Sequence, residues 1–138
     1  MIMANFKLSK IPNFLMVLLF AVLLSACGND KGTAENATVS YSQQIIPILQ
    51  QHCFECHVAG QQGTQASGLD MSTYENLMKG TRFGPIIQAG NSLSSTLVIL
   101  VEGRADPSIK MPHGDRPSLS EAEIKLLRQW IDQGAKNN

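Results

Sequence analysis

Apolar residues recur with a helical period in only a few stretches of this chain, and the clearest is the last. Ile124, Leu127 and Ile131 form an inward stripe with Trp130 beside them. Ser120-Glu-Ala-Glu123 just ahead is a capping box, a Ser followed three residues on by Glu. Together they predict a helix from Glu121 to Gln133, stopped by Gly134. Ser72 to Lys79 predicts a shorter helix, with a Ser or Thr cap and Gly80 just beyond its end. Ser92 to Gly103 carries two signals. Its β-branched residues favour a strand, whereas Leu93, Leu97 and Val101 at helical spacing and Gly103 as a stop favour a helix, which is the expectation here. Pro47 suits a first helical turn, so a helix is expected from Pro47 through Cys53 and Cys56. Between these elements the pattern fades. Gly60 to Gly68 is polar and predicts loop, Gly84-Pro85 and Gly90-Asn91 bracket a brief extended piece, and Asp106 to Pro117 holds three Pro and a Gly and predicts irregular chain.

The longest apolar run lies elsewhere. Phe14 to Leu24 is 11 residues long and follows Lys7 and Lys10. It is too short for a permanent bilayer span, which needs about 20 residues, and reads as the core of a secretory signal. Leu24-Ser25-Ala26-Cys27 resembles the bacterial lipobox, which implies cleavage before Cys27 and diacylation of its thiol. An ordinary signal peptide or a membrane anchor with an incidental Cys is the plainer alternative. The expected organisation is a lipoprotein signal peptide over 1–26, a flexible tether over 27–40 and one folded domain over 41–138. Gly28 supplies no inner-membrane retention Asp, so resemblance to sorted lipoproteins favours the periplasmic face of the outer membrane.

Composition sharpens the picture. Residues 27–138 hold nine Lys and Arg against 11 Asp and Glu, a balance that gives no sign of nucleic-acid binding. With aromatic residues at 6%, so small a domain would gain from a non-protein core. Three Cys are present. If Cys27 takes lipid, Cys53 and Cys56 remain, in a compartment that permits disulfides; a pair so close would close a very short loop and constrain little.

Cys53-Phe-Glu-Cys56-His57 carries the chemistry. Positions i, i+3 and i+4 share one face of a helical turn, so two thiols and an imidazole can meet one flat ligand. The run reads as a c-type haem attachment site, with both sulfurs in thioethers to haem and His57 as proximal iron ligand. A redox disulfide lacks the surrounding βαβ pattern. Zinc lacks ligands, since His52 and His113 are the only other histidines. For the second axial position the candidates are Met111 and His113 in Lys110-Met-Pro-His-Gly114, or an open site. Met111 is favoured because Pro112 stiffens an irregular loop that can lie across the far face of haem. Met71 and Met78 flank a helical stretch and read as core filling.

Cys53 to His57, Gly68-Leu-Asp, Ser72 to Gly80, Gly84-Pro85, Ala89-Gly-Asn-Ser92, Met111-Pro112 and Leu126 to Ala135 together resemble the planctomycete-type branch of small class I cytochrome c domains, over about Tyr41 to Ala135. The resemblance implies an all-α fold, a few helices around one covalently bound haem c, with Cys53, Cys56, His57 and Met111 as its binding residues. It also implies that the terminal helix packs on the helix carrying the haem motif, with Trp130 and Ile131 at the contact. Gln88-Ala89 departs from the family, which has a Pro before Gly-Asn or Gly-Lys. Arg82 and Arg104 are weighed as partners of the haem propionates against plain solvated arginines.

The functional expectation is a one-electron carrier, not an enzyme, with redox proteins as partners and the membrane reached through lipid. The alternative is a haem-binding subunit or ligand sensor of a larger envelope redox complex, with a labile distal ligand. A di-haem peroxidase would need a second Cys-x-x-Cys-His, which is missing.

Overall fold

The computed structural model describes residues 37–138, and a compact unit runs from Thr38 to Asn138. It is all-α: among the described residues there are helices and one isolated β-bridge, Thr81 to Gly84, but no strand. The segment expected to be a signal peptide and Cys27 lie outside the described residues. No described helix is long and apolar enough to cross a membrane.

The folded unit begins slightly before the expected boundary. Val39, assigned to the tether from sequence, is buried, and its N–H donates to Gln133 Oε1 at 2.8 Å. Ser40 caps a wide π-helical turn, Tyr41–Ile45, its Oγ accepting from the Gln43 N–H. That turn runs directly into α1, Ile46–His52, with Pro47 in its first turn, where a missing N–H costs nothing. Ile45, Ile48 and Leu49 point inward.

A short helix then appears where sequence predicts loop: α2, Gln62–Ser67. It buries none of its residues, so no apolar period betrays it. Side-chain and backbone bonds hold it instead. Thr64 Oγ1 donates to the carbonyls of Val58 at 2.8 Å and Leu69 at 2.9 Å, and Ser67 Oγ to that of Gly63 at 2.6 Å. Gly68, left-handed at φ 80°, ends it.

The remaining helices follow their sequence signals. Helix α3, Tyr74–Lys79, is capped by Thr73 and stopped at Gly80. Helix α4, Thr96–Val101, settles the ambiguity over Ser92 to Gly103 in favour of a helix, burying Leu97, Val98 and Val101. Helix α5, Glu121–Asp132, opens on the complete capping box of Ser120 and Glu123 and buries Leu127, Trp130 and Ile131. Asp106–Pro117 is irregular apart from a 3₁₀ turn at Pro107–Ile109.

The terminal helix packs on the helical stretch that leads into the Cys53–His57 turn, with Trp130 at the contact, but at that stretch's first turn. Helix α5 packs mainly on the Tyr41–Ile45 turn and on α4. The reason lies in the aromatic residues. Trp130 stacks on Tyr41 at 5.4 Å between ring centroids, and Tyr74 meets the edge of Tyr41 at 5.2 Å. The polar tips are satisfied at the chain's end, Trp130 Nε1 donating to the Lys136 carbonyl and Tyr74 Oη to that of Ala135. Helices α1 and α5 are joined through His52 and Glu123.

Candidate haem site

Helix α1 stops at His52, one residue short of the cysteines, contrary to the expected continuation. One further α-like turn nevertheless follows. The Cys53 N–H donates to the Leu49 carbonyl at 2.8 Å, and the His57 N–H donates to the Cys53 carbonyl at 2.9 Å. That last bond spans four residues, so Cys53, Cys56 and His57 keep the spacing that puts them on one side of a helical turn.

The environment separates the possible chemistries of this motif. Both cysteines are free thiols. Burial, helped by the neighbouring Cys56, pushes the Cys53 thiol up to about 12. Among the described residues no three His, Cys, Asp or Glu side chains converge as a metal cluster. Burial lowers the basicity of His57, which favours the neutral imidazole that ligates metal. The Leu69 carbonyl, which already accepts from Thr64 Oγ1, pulls the other way. Nδ1 of His57 is buried and closes no hydrogen bond.

The imidazole is wedged from behind. A Cβ built on Gly63 would lie 2.7 Å from the Cys56 carbonyl oxygen, 2.9 Å from His57 Cε1 and 3.0 Å from His57 Nδ1. Gly63 is thus the point where α2 presses against the axial candidate, a role that a loop reading of Gly60–Gly68 had no means to reveal. Beyond the ring, the Met71 N–H donates to the His57 carbonyl at 2.7 Å, tying the following loop to the motif.

The other candidates fall into distinct settings. Met111 is half-buried against the edge of the core, with its N–H donating to the Leu100 carbonyl at 3.2 Å, and the Met111–Pro112 peptide is cis. His113 is exposed. Met71 is buried, and Met78 packs against the core. Arg82 donates to the Gln65 carbonyl; Arg104 pairs with Glu102 and donates to the Leu93 carbonyl. Sequence gave no reason to single out one further pair. Arg116 grips Glu55, the residue between Phe54 and Cys56, through Nη2 to Oε1 at 2.8 Å and Nε to Oε2 at 3.2 Å.

An all-α chain that presents two free thiols and an imidazole at Cys-x-x-Cys-His spacing on one turn has the pattern of a c-type haem attachment site. The comparison with known families agrees: residues 53–115 match the family model for planctomycete cytochrome C. The chain carries a planctomycete-type cytochrome c domain, and the matched residues include both the Cys53–His57 turn and Met111. No curated protein and no solved structure matches the chain. The family implies covalent haem c, and the residues fit it, since the cysteines are unpaired and the His57 ring keeps a buried nitrogen without a hydrogen bond and is backed by Gly63.

Proposed function

We propose that this protein is a mono-haem c-type cytochrome that carries single electrons in the bacterial cell envelope, with His57 and Met111 as axial ligands. The observation that carries the reading is the turn itself: Cys53, Cys56 and His57 at helical spacing, with both thiols outside any disulfide. Haem c, when bound, supplies a one-electron ferric–ferrous couple. The chain's own residues do the rest. Cys53 and Cys56 would hold the group through thioethers so that it is not lost outside the cytoplasm. His57 would give one axial nitrogen, fixed by the Cys53–His57 backbone bond and by Gly63 behind it. Met111 would give a thioether sulfur from a half-buried position, and so favour the ferrous state. No substrate is transformed. The partners on this reading are redox proteins, and lipid on Cys27 holds the protein at the membrane, with the periplasmic face of the outer membrane favoured.

A second reading is supported by one observation. Between Met111 and the buried Leu119, the hydrogen bonds of segment 112–118 to the rest of the described protein run through Arg116 alone. So thin an attachment suits a labile distal ligand, as in a haem-binding subunit or ligand sensor of a larger envelope complex.

The primary test is covalent attachment. Protein made in a host with c-type maturation machinery should keep its colour through acid–acetone extraction and gain the mass of one haem. Cys53→Ala with Cys56→Ala should release the pigment. Haem that stays bound to that double variant after extraction sinks the proposal.

A further inference from the structure

The loop that brings Met111 to the core edge is an arch with two feet. One foot is Met111, whose N–H bonds to the Leu100 carbonyl, and the other is Leu119, whose side chain is buried. Between them the hydrogen bonds from the arch to the rest of the described protein all run through the Arg116 guanidinium. Its Nε and Nη2 meet both oxygens of Glu55, while Nη1 donates to the His113 carbonyl at 3.2 Å. One planar cation therefore stiffens the turn two residues past Met111 and fastens it to Glu55, one of the two residues between the cysteines. The two-pronged geometry fixes orientation as well as distance.

We propose that Glu55 and Arg116 form a latch that positions the Met111 loop against the haem-bearing turn and so sets how often the distal ligand lets go. The proposal rests on the His57–Met111 reading above. Both residues act through Met111, not on the iron, and are positioning residues. The Glu55 side chain is 74% exposed and that of Arg116 35%, so water and salt weaken the pair. That exposure suits a latch, which has only to bias a local opening of the loop and not to hold the fold.

Carbon monoxide binding to the reduced holoprotein tests this. At saturating gas the observed rate is set by departure of Met111, and the neutral ligand leaves salt to act on the protein alone. Glu55→Gln and Arg116→Gln should each raise the rate about two- to fivefold, the range open to an exposed pair. Added salt should speed the wild type toward the variants and leave the variants nearly unchanged. The swap of Glu55→Arg with Arg116→Glu should slow binding again. Glu55→Gln keeps the shape of an exposed side chain, so it preserves the test should Arg116→Gln fold poorly. Wild-type protein that shows the sulfur-to-ferric-iron absorption, but whose rate ignores both substitutions and salt, overturns the latch alone. Wild-type protein without that absorption overturns the Met111 reading, and the latch with it.

Discussion

His52 Nε2 donates to Glu123 Oε1 at 3.1 Å, joining the residue before Cys53 to the cap of the closing helix. The other carboxylate oxygen of Glu123 accepts from both the N–H and the hydroxyl of Ser120, each at 2.7 Å. A single carboxylate thus caps α5 and secures the end of α1, from which the attachment turn hangs.

Two substitutions should separate those roles. Ser120→Ala loses a helix cap and should cost about 1 kcal/mol in denaturant unfolding. Glu123→Ala should cost more, roughly 1–3 kcal/mol for the partner it strips from buried His52. Bonds from the Ser120 N–H and hydroxyl, followed by His52, lower the Glu123 pKa from its ordinary 4.5. Its folded value is depressed, so its stabilisation is fully present above pH 4.5 and lost as pH falls through the lowered value. A pH series of melts should show wild type and Glu123→Gln converging in acid. A constant gap down to pH values below the carboxylate range would contradict that linkage.

Gly63→Ala should disturb the haem site out of proportion to its size. The new methyl would meet the Cys56 carbonyl at 2.7 Å, a backbone atom that cannot swing aside, and the His57 ring at 2.9 Å. Forcing a methyl into such a gap costs about 1–3 kcal/mol. The apoprotein should melt lower, and the fraction of chains carrying attached haem should fall. Unchanged melting and full haem loading would show that α2 moves freely away from His57.

How much of this was legible in the sequence follows from which forces act locally. The cap of α5 needs residues three apart, and the attachment turn needs residues within five, so both were readable. Helix α2 was not, because Gln62–Ser67 buries nothing and is held by Thr64 reaching to Val58 and Leu69. The Glu55–Arg116 pair joins residues 61 apart and leaves no local trace. The packing of α5 was legible as far as Trp130, whereas its partner Tyr41 sits in a turn that carries no distinctive pattern of its own.

Lipid on Cys27, proposed from Leu24-Ser-Ala-Cys27, gives a separate prediction. A diacyl group provides two chains, where one chain alone anchors only marginally. Wild-type protein should partition into detergent and carry acyl mass. Cys27→Ser should stay unprocessed or appear in the soluble fraction. Identical fractionation of the two, with no acyl mass on the wild type, would remove the anchor and leave the cytochrome reading intact.

The distal ligand gives the sharpest choice, because Met111 and His113 are separated by Pro112 alone. Met111 is half-buried and packed against the core, whereas His113 stands in solvent. Met71, the other methionine near the motif, is 3% exposed and committed to packing. A thioether is a soft, weak donor that favours ferrous iron, so Met111→Ala should lower the reduction potential. It should also abolish the weak near-infrared sulfur-to-ferric-iron absorption and open the iron to carbon monoxide and cyanide. His113→Ala should leave all three nearly unchanged, although its backbone carbonyl, which accepts from Arg116, must stay in place. The reverse pattern, with His113→Ala disruptive and Met111→Ala silent, would make the protein a bis-histidine cytochrome of lower potential. If Met71→Ala or Met78→Ala were the disruptive change, the distal loop would be elsewhere in the fold, and the Cys53–His57 attachment would still stand.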